Sequence, residues 1–377
     1  MLYANYGKTN IKLSVISCGG MRFSNPTDID KNAAVVKAAY DAGINYFDTA
    51  PYYCDDKSED IFGAALKTML KTRKEKPFYI STKSGKFEPQ EVRENFENSL
   101  RRLGVDCIDF YHFWCISSLD DYNNRKKKGA LGEFIKLKEE GLIKHLCVST
   151  HMTGTDIGKM LEDYPFEGVL LGYCAMNFAY RDAGLDTAAK LGKGVVVMNP
   201  LGGGLIPQYP ERFNFVKSRE DETVVEGALR FLINDKRITT SLIGFNNEKE
   251  IKDAVKAVDG FNPISDEKIS EIRSGIKQNF NELCTGCQYC NNCSKGIPVP
   301  KLIEAYNHYM LSGKSIDMME RLKWHWGIEA DSDYLRMCNE CGTCEKACTQ
   351  ELPIRKRLKD ILLHAEKLIA AKKAKTH

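Results

Sequence analysis

The chain has 377 residues, 43% hydrophobic and 28% charged, with 54 Lys and Arg against 51 Asp and Glu for a formal net charge of +3. That length and balance suit one large core plus a smaller one, and no apolar run approaches the roughly 20 residues a membrane-spanning helix requires. The near-neutral charge offers no basic footprint for nucleic acid, and Lys372, Lys373 and Lys375 read as the solvated end of a helix.

Before residue 260, short apolar runs alternate with amphipathic stretches. The runs 13–18, 44–48, 78–82, 107–111, 145–149, 168–171, 194–197 and 241–243 read as strands. Helices are expected to start near Asp30, Ser58, Pro89, Ala130, Thr155, Asp182, Glu222 and Glu248, with Asp30 and Ser58 as N-caps and Glu59 favoured in the first turn by the helix dipole. Eight strand–helix units in about 260 residues is the arithmetic of a (β/α)8 TIM barrel. A doubly wound sheet needs fewer units, and no Gly-x-Gly-x-x-Gly follows the first strand. On the barrel, Asp48 ends the second strand, Tyr53 lies in the loop after it, Lys83 follows the third and His112 closes the fourth. All four fall at strand C-terminal ends, where barrel enzymes keep their chemistry.

The turn-rich stretch 260–265 marks the boundary, giving a barrel over 1–262 and a second, mainly helical domain over 263–377. Eight of the fourteen cysteines lie in that second domain, in two runs: Cys284-x2-Cys287-x2-Cys290-x2-Cys293 and Cys338-x2-Cys341-x2-Cys344-x3-Cys348. Such spacing suits two [4Fe-4S] clusters, each run giving three thiolates to one cluster and its fourth cysteine to the other, as in two-cluster ferredoxins. Zinc is the alternative, although four ligands in a row oversupply a tetrahedral ion. Disulfides are disfavoured because nothing at the start reads as a signal peptide, which also points to the cytoplasm. Cys18, Cys54, Cys107, Cys115, Cys147 and Cys174 read as free apolar thiols. Helices over 300–312 and 354–371 are expected, the second with Leu358, Ile361, Leu362, Ala365 and Leu368 on one face. Trp324, His325 and Trp326 read as core, or as lining for a substrate pocket.

Together the segments Phe47-Asp48-Thr49-Ala50-Pro51-Tyr52-Tyr53, Ser58-Glu59, Ser81-Thr82-Lys83, Val148-Ser149-Thr150-His151 and Asn199-Pro200-Leu201-Gly202-Gly203 resemble an aldo/keto reductase over about residues 1–260. The cysteine domain is similar to the ferredoxin-type extension of one branch of that superfamily. The resemblance implies reduction of a small carbonyl by NADP(H), with Tyr53 as proton donor, Lys83 lowering its pKa, and Asp48 holding Lys83. It also implies that Met21, Ser149, Leu201, Gly203 and Gly244 border the nucleotide.

The family pattern is departed from at several points. Trp114 stands where the family keeps a catalytic histidine, His112 lying two residues earlier on the same face of an extended strand. Indole donates a hydrogen bond but accepts none, so reduction of an activated carbon–carbon double bond becomes an alternative. Gly172 replaces a glutamine that holds the nicotinamide, Glu250 and Ala254 fill two further nucleotide positions, and only Lys249 or Lys252 is offered to a 2′-phosphate. Hydride moves as an electron pair whereas a cluster passes single electrons. The clusters therefore staple the small domain, or carry electrons from a ferredoxin or flavodoxin partner in place of nicotinamide, or belong to a barrel that serves only as a scaffold in a larger redox complex, a reading that intact Asp48, Tyr53 and Lys83 argue against.

Overall fold

The computed structural model describes residues 1–175, 181–279, 282–284 and 286–375. Two antiparallel strands open the chain, β1 (Tyr3–Asn5) and β2 (Lys12–Ser14). Eight parallel strands follow: β3 (Ile16–Gly19), β4 (Tyr46–Asp48), β5 (Tyr79–Ser84), β6 (Ile108–Ile116), β7 (Ile143–Thr150), β8 (Gly168–Gly172), β9 (Gly194–Met198) and β10 (Thr240–Ile243). They close in the order β10-β3-β4-β5-β6-β7-β8-β9, so every predicted barrel strand is present and the edges are abolished.

Helices alternate with the strands, and the predicted starts hold to within two residues. Two capping expectations fail. Asp28, not Asp30, caps the first helix, its carboxylate accepting from Lys31 N. Ser58 is already helical and fully buried, and its Oγ bonds the Gly20 carbonyl and the Thr49 hydroxyl, tying the helix to the loop after β3 rather than capping it. Two elements had no signal in the periodicity: the β1–β2 hairpin and a polar helix over Leu119–Lys127 capped by Ser118.

The hairpin leads into Tyr6, which plugs the N-terminal end of the barrel. Its ring lies edge-on to Phe110 with centroids 4.8 Å apart, and its hydroxyl is 3.2 Å from the Cys147 thiol. Gly168 and Gly194 start β8 and β9, and a Cβ at either would overlap the Tyr6 ring. Those two glycines are therefore the room the plug needs.

The chain divides into two compact units, Met1–Ile276 and Lys277–His377. The second has its own core, built on the helices Val299–Ser312 and Ile354–Lys375 with Leu302, Ile303, Met318, Leu322, Ile361 and Ala365 inside. Leu358, Ile361 and Ala365 of the last helix are buried there, with Leu362 and Leu368 packed alongside. The aromatic cluster splits: Trp326 packs on this core and donates to Glu304 at 2.8 Å, whereas Trp324 is 78% exposed. The side chains of His325, Lys372, Lys373 and Lys375 lie outside the described residues. Among the described residues no helix is long and apolar enough to cross a membrane.

Because the Tyr6 ring cannot rotate away from a new methyl group, Gly194→Ala is expected to destabilise the barrel by about 1–3 kcal/mol, read as a lowered urea midpoint at unchanged slope.

Candidate functional site

At the C-terminal end of the barrel, register decides which side chains meet. Asp48 pairs with Ser81 across β4 and β5, and Lys83, two residues beyond Ser81, points inward from the same face. Lys83 Nζ donates to Asp48 Oδ2 at 2.5 Å and to the Thr49 carbonyl at 2.6 Å, and Ser81 Oγ donates to Asp48 Oδ1 at 2.7 Å. The Lys83 side chain is 1% exposed. Burial pushes the Asp48 carboxyl up and the Lys83 ammonium down, and their mutual attraction opposes both shifts. With two hydrogen bonds satisfying each partner, the charged pair is the form this geometry supports.

Tyr53 reaches this pair on an unusual turn. Tyr52, Cys54, Asp55 and Asp56 have φ of 67°, 54°, 52° and 61°, a left-handed run without a single glycine. Each such residue costs roughly 1–2 kcal/mol, so the surroundings must impose the shape. Asp56 Oδ1 accepts from Tyr52 N at 3.0 Å and from Arg102 at 2.7 Å, and the Cys54 thiol lies 3.4 Å from both the Gly20 carbonyl and Phe23 N. The turn sets the half-buried Tyr53 ring with its centroid 5.2 Å from Lys83 Nζ.

The expected lowering of the Tyr53 pKa is not found. Burial first, then the negative charge of Asp48, push the hydroxyl well above its ordinary value. Lys83 is neutralised by Asp48, so Tyr53 stays a protonated donor rather than a poised phenolate.

Facing Tyr53 is Trp114, edge-on with ring centroids 5.7 Å apart. The β6–β7 register slips between Phe113 and Ile116, and Cys115 has φ of 58°, a bulge that re-aims the end of β6. His112 sits one step lower on the inward face, opposite Lys83, fully buried with Nε2 3.3 Å from the Tyr46 hydroxyl. Burial, reinforced by the Lys83 charge, pushes it down to about 3, so it is a neutral imidazole. Asp48, Lys83, Tyr53 and Trp114 thus meet at the mouth, and His112 lies beneath them. Trp114 stands here where the sequence placed it, at the position of the family's histidine, whereas the bulge was not identified in advance, since no glycine marks the position.

The residues assigned to the nucleotide fall at the same barrel end. Met21, Gly244 and the pair Leu201 and Gly203 follow the neighbouring strands β3, β10 and β9, with Gly203 at φ 70° in a tight turn. Ser149 is buried on β7. Gly172 ends β8 against the buried Arg181, whose guanidinium donates to the Gly172 carbonyl at 3.1 Å and the His151 carbonyl at 3.0 Å. Sequence reasoning passed over Arg181, which ties the ends of β7 and β8 together. The helix Glu248–Val258 is capped by Asn247, whose Oδ1 accepts from Glu250 N, while Glu250 Oε2 accepts from Asn246 N at 2.9 Å. A carboxylate therefore already fills this helix N-terminus, and Lys249 and Lys252 are paired along the helix with Asp253 and Glu248.

In the second unit the two cysteine runs wind alike. Positive φ recurs two and four residues after the first cysteine of each, at Gly286 and Gln288 in one run and at Glu340 and Gly342 in the other. Alternation of this kind turns backbone N–H groups inward, as in nests that hold anionic clusters, and Gly286 N lies 3.4 Å from Cys284 Sγ. Cys293, Cys338, Cys341 and Cys344 line one small recess together with Ile297, Val299 and Leu358. Cys284, Cys287, Cys290 and Cys348 form a second group, close enough for their charges to interact. Asn307 fixes that group from the neighbouring helix, accepting from Cys284 N and donating to the Cys284 carbonyl, both at 2.8 Å.

Among the described residues no three Cys, His, Asp or Glu side chains converge tightly enough to hold a single metal ion. A tetrahedral zinc needs its thiolates about 2.3 Å from one point, whereas the ligands of a cluster bind different irons and stand farther apart. Burial pushes the Cys284 thiol up to about 12 and raises those of Cys344 and Cys348, so thiolates there require a compensating cation.

Comparison with known proteins bears on the barrel. Residues 15–277 match the aldo/keto reductase family. L-galactose dehydrogenase of Arabidopsis thaliana is 28% identical over 305 residues, 71% of this chain and 92% of that protein. Aldo-keto reductase str7 of Strobilurus tenacellus is 30% identical over 236 residues, 60% of this chain and 62% of that one. Among solved structures, the holo form of aldo-keto reductase AKR11C1 from Bacillus halodurans shares the fold with a TM-score of 0.64 at 21% identity, over 74% of this chain and 98% of its own. With a closed eightfold barrel carrying Asp48, Lys83 and Tyr53 at its mouth and a family match across most of its length, the chain belongs to the aldo/keto reductase family of oxidoreductases.

Proposed function

We propose that the barrel reduces a small carbonyl, or an activated carbon–carbon double bond, with a nicotinamide nucleotide as the reductant, and that the C-terminal unit holds two [4Fe-4S] clusters. The observation that carries the barrel reading is the Asp48–Lys83 pair beneath the Tyr53 ring. A bound nicotinamide supplies hydride to the unsaturated carbon. Tyr53 gives its hydroxyl proton to the substrate atom on which negative charge develops, with Lys83, held by Asp48, 5.2 Å from the centre of the Tyr53 ring. Trp114 walls the mouth opposite Tyr53 and presents only a donor, so it cannot take over the proton-accepting side of a histidine.

Glu250 bears on the nucleotide. A 2′-phosphate brought to the N-terminus of Glu248–Val258 would meet the Glu250 carboxylate, which accepts from Asn246 N and from the Asn247 side-chain amide, and the two candidate lysines are paired with Asp253 and Glu248. NADH is therefore favoured over NADPH. In the second unit, Cys284, Cys287, Cys290 and Cys348 would hold one cluster and Cys338, Cys341, Cys344 and Cys293 the other, and the clusters would supply one-electron chemistry. A second reading, in which a ferredoxin or flavodoxin feeds the clusters and nicotinamide is unused, is favoured by Trp114 and Glu250 standing at two positions where the family keeps other residues.

Anaerobic titration with NADH and NADPH, following nucleotide fluorescence and cluster absorbance, separates the readings. Binding of NADH with the clusters left oxidised supports the hydride site; binding of neither nucleotide removes it. Glu250→Gln is expected to narrow the gap between NADH and NADPH affinity, and an unchanged ratio would show that Glu250 does not set it.

Tyr53→Phe is expected to lower kcat by about 10²–10⁴ with nucleotide affinity unchanged. Since the Tyr53 pKa is raised above its ordinary value near 10, the hydroxyl stays protonated through neutral pH, and reduction should show no alkaline loss assignable to Tyr53 between about pH 6 and 9. Reconstituted protein should contain about eight iron and eight acid-labile sulfide per chain, and Cys293→Ala should remove about half, from the cluster of Cys338, Cys341 and Cys344.

A further inference from the structure

One buried cation in the second unit has no role in the chemistry described so far. Arg357, on the last helix, is 2% exposed, and both of its terminal guanidinium nitrogens are buried without a hydrogen-bond partner among the described residues. Its nearest carboxylate is that of the exposed Glu282, 3.6 Å away and beyond hydrogen-bond reach, and its guanidinium carbon lies 5.3 Å from the centre of the Tyr306 ring. An unsatisfied buried guanidinium is costly, and such groups are retained where they meet an anion.

The anion is indicated by what surrounds it. Arg357 stands beside the quartet of Cys284, Cys287, Cys290 and Cys348: Glu282, which its guanidinium approaches, lies two residues before Cys284, and Tyr306 precedes Asn307, which holds the Cys284 backbone through two 2.8 Å hydrogen bonds. The cysteine core around that quartet is largely apolar, with Cys284 and Cys290 both buried, so a positive charge there is poorly screened by water. The other quartet differs: Cys341 is exposed, and the arginine beside that recess, Arg355, is already bound to Glu345 at 2.6 Å.

We infer that Arg357 is the charge partner of the cluster that Cys284, Cys287, Cys290 and Cys348 would hold, and that its positive charge raises that cluster's reduction potential. The inference rests on the cluster assignment above. Reduction of a cluster by one electron adds one negative charge to it with no bond broken. A buried guanidinium fixed beside the cluster stabilises that added charge.

The test is a mediated redox titration with dithionite as the electron source, read by electron paramagnetic resonance, on the full-length protein and on Arg357→Gln and Arg357→Lys. In the wild type the two clusters should titrate separately. Arg357→Gln is expected to lower the reduction equilibrium constant of one cluster about tenfold or more, about 59 mV for one electron, and to leave the other where it was. Arg357→Lys, which keeps the charge, should retain most of the wild-type value. If Arg357→Gln fails to assemble the first cluster while Arg357→Lys assembles it, the charge is again required and the inference stands. Unmoved midpoints in Arg357→Gln, an equal fall in both variants, or loss of the cluster in both would overturn it in favour of a packing role. Wild-type protein that takes up no iron and sulfide would remove the cluster assignment itself, an outcome distinct from clusters that form with potentials indifferent to Arg357.

Discussion

A lysine ammonium almost wholly removed from water is the constraint around which the barrel mouth is organised. Lys83 remains charged there because Asp48 lies 2.5 Å away and the Thr49 carbonyl takes a second of its protons. Removing either partner would strand a buried charge, a loss of several kcal/mol. Asp48 is in turn fixed by Ser81 on the next strand, so the pair depends on the register of β4 against β5, and the register on closure of the barrel. The strained turn carrying Tyr53 is tolerable because it rests on this rigid base and is held by Arg102 and the loop after β3.

On the proposal that it holds clusters, the second unit would follow the same logic with sulfur in place of carboxylate. Its core includes Cys284, Cys290 and Cys344 with Cys293, Cys338 and Cys348 packed against it, and Asn307 fixes the Cys284 backbone. A small domain with such a core gains stability from a bound group that cross-links distant segments. Each quartet joins the two cysteine runs, so each would tie the loop before Val299–Ser312 to the loop before Ile354–Lys375.

Much of the barrel was legible in advance. Apolar runs bounded by turns located eight strands, and strand-end placement singled out Asp48, Lys83 and Tyr53. What escaped had no local signature. The β1–β2 hairpin is too short for a periodic pattern, and its function becomes visible only when Tyr6 is seen between Gly168 and Gly194. Arg181 looks like an ordinary polar residue until β7 and β8 bring two carbonyls to it. The bulge at Cys115 occurs without a glycine, because neighbouring strands rather than local propensity impose it.

The sequence by itself determined the alternation of strands and helices, the barrel they close into and the grouping of cysteines into two runs, since these depend on hydrophobic period and residue spacing along the chain. Only the tertiary structure decided that Trp114 rather than His112 faces Tyr53, that Asp48 neutralises Lys83 before Lys83 can acidify the tyrosine, that Glu250 closes a helix N-terminus, and that Arg357 is buried beside one cysteine quartet. Each of these depends on which atoms from distant segments share a low-dielectric space, and no one-dimensional pattern carries that information.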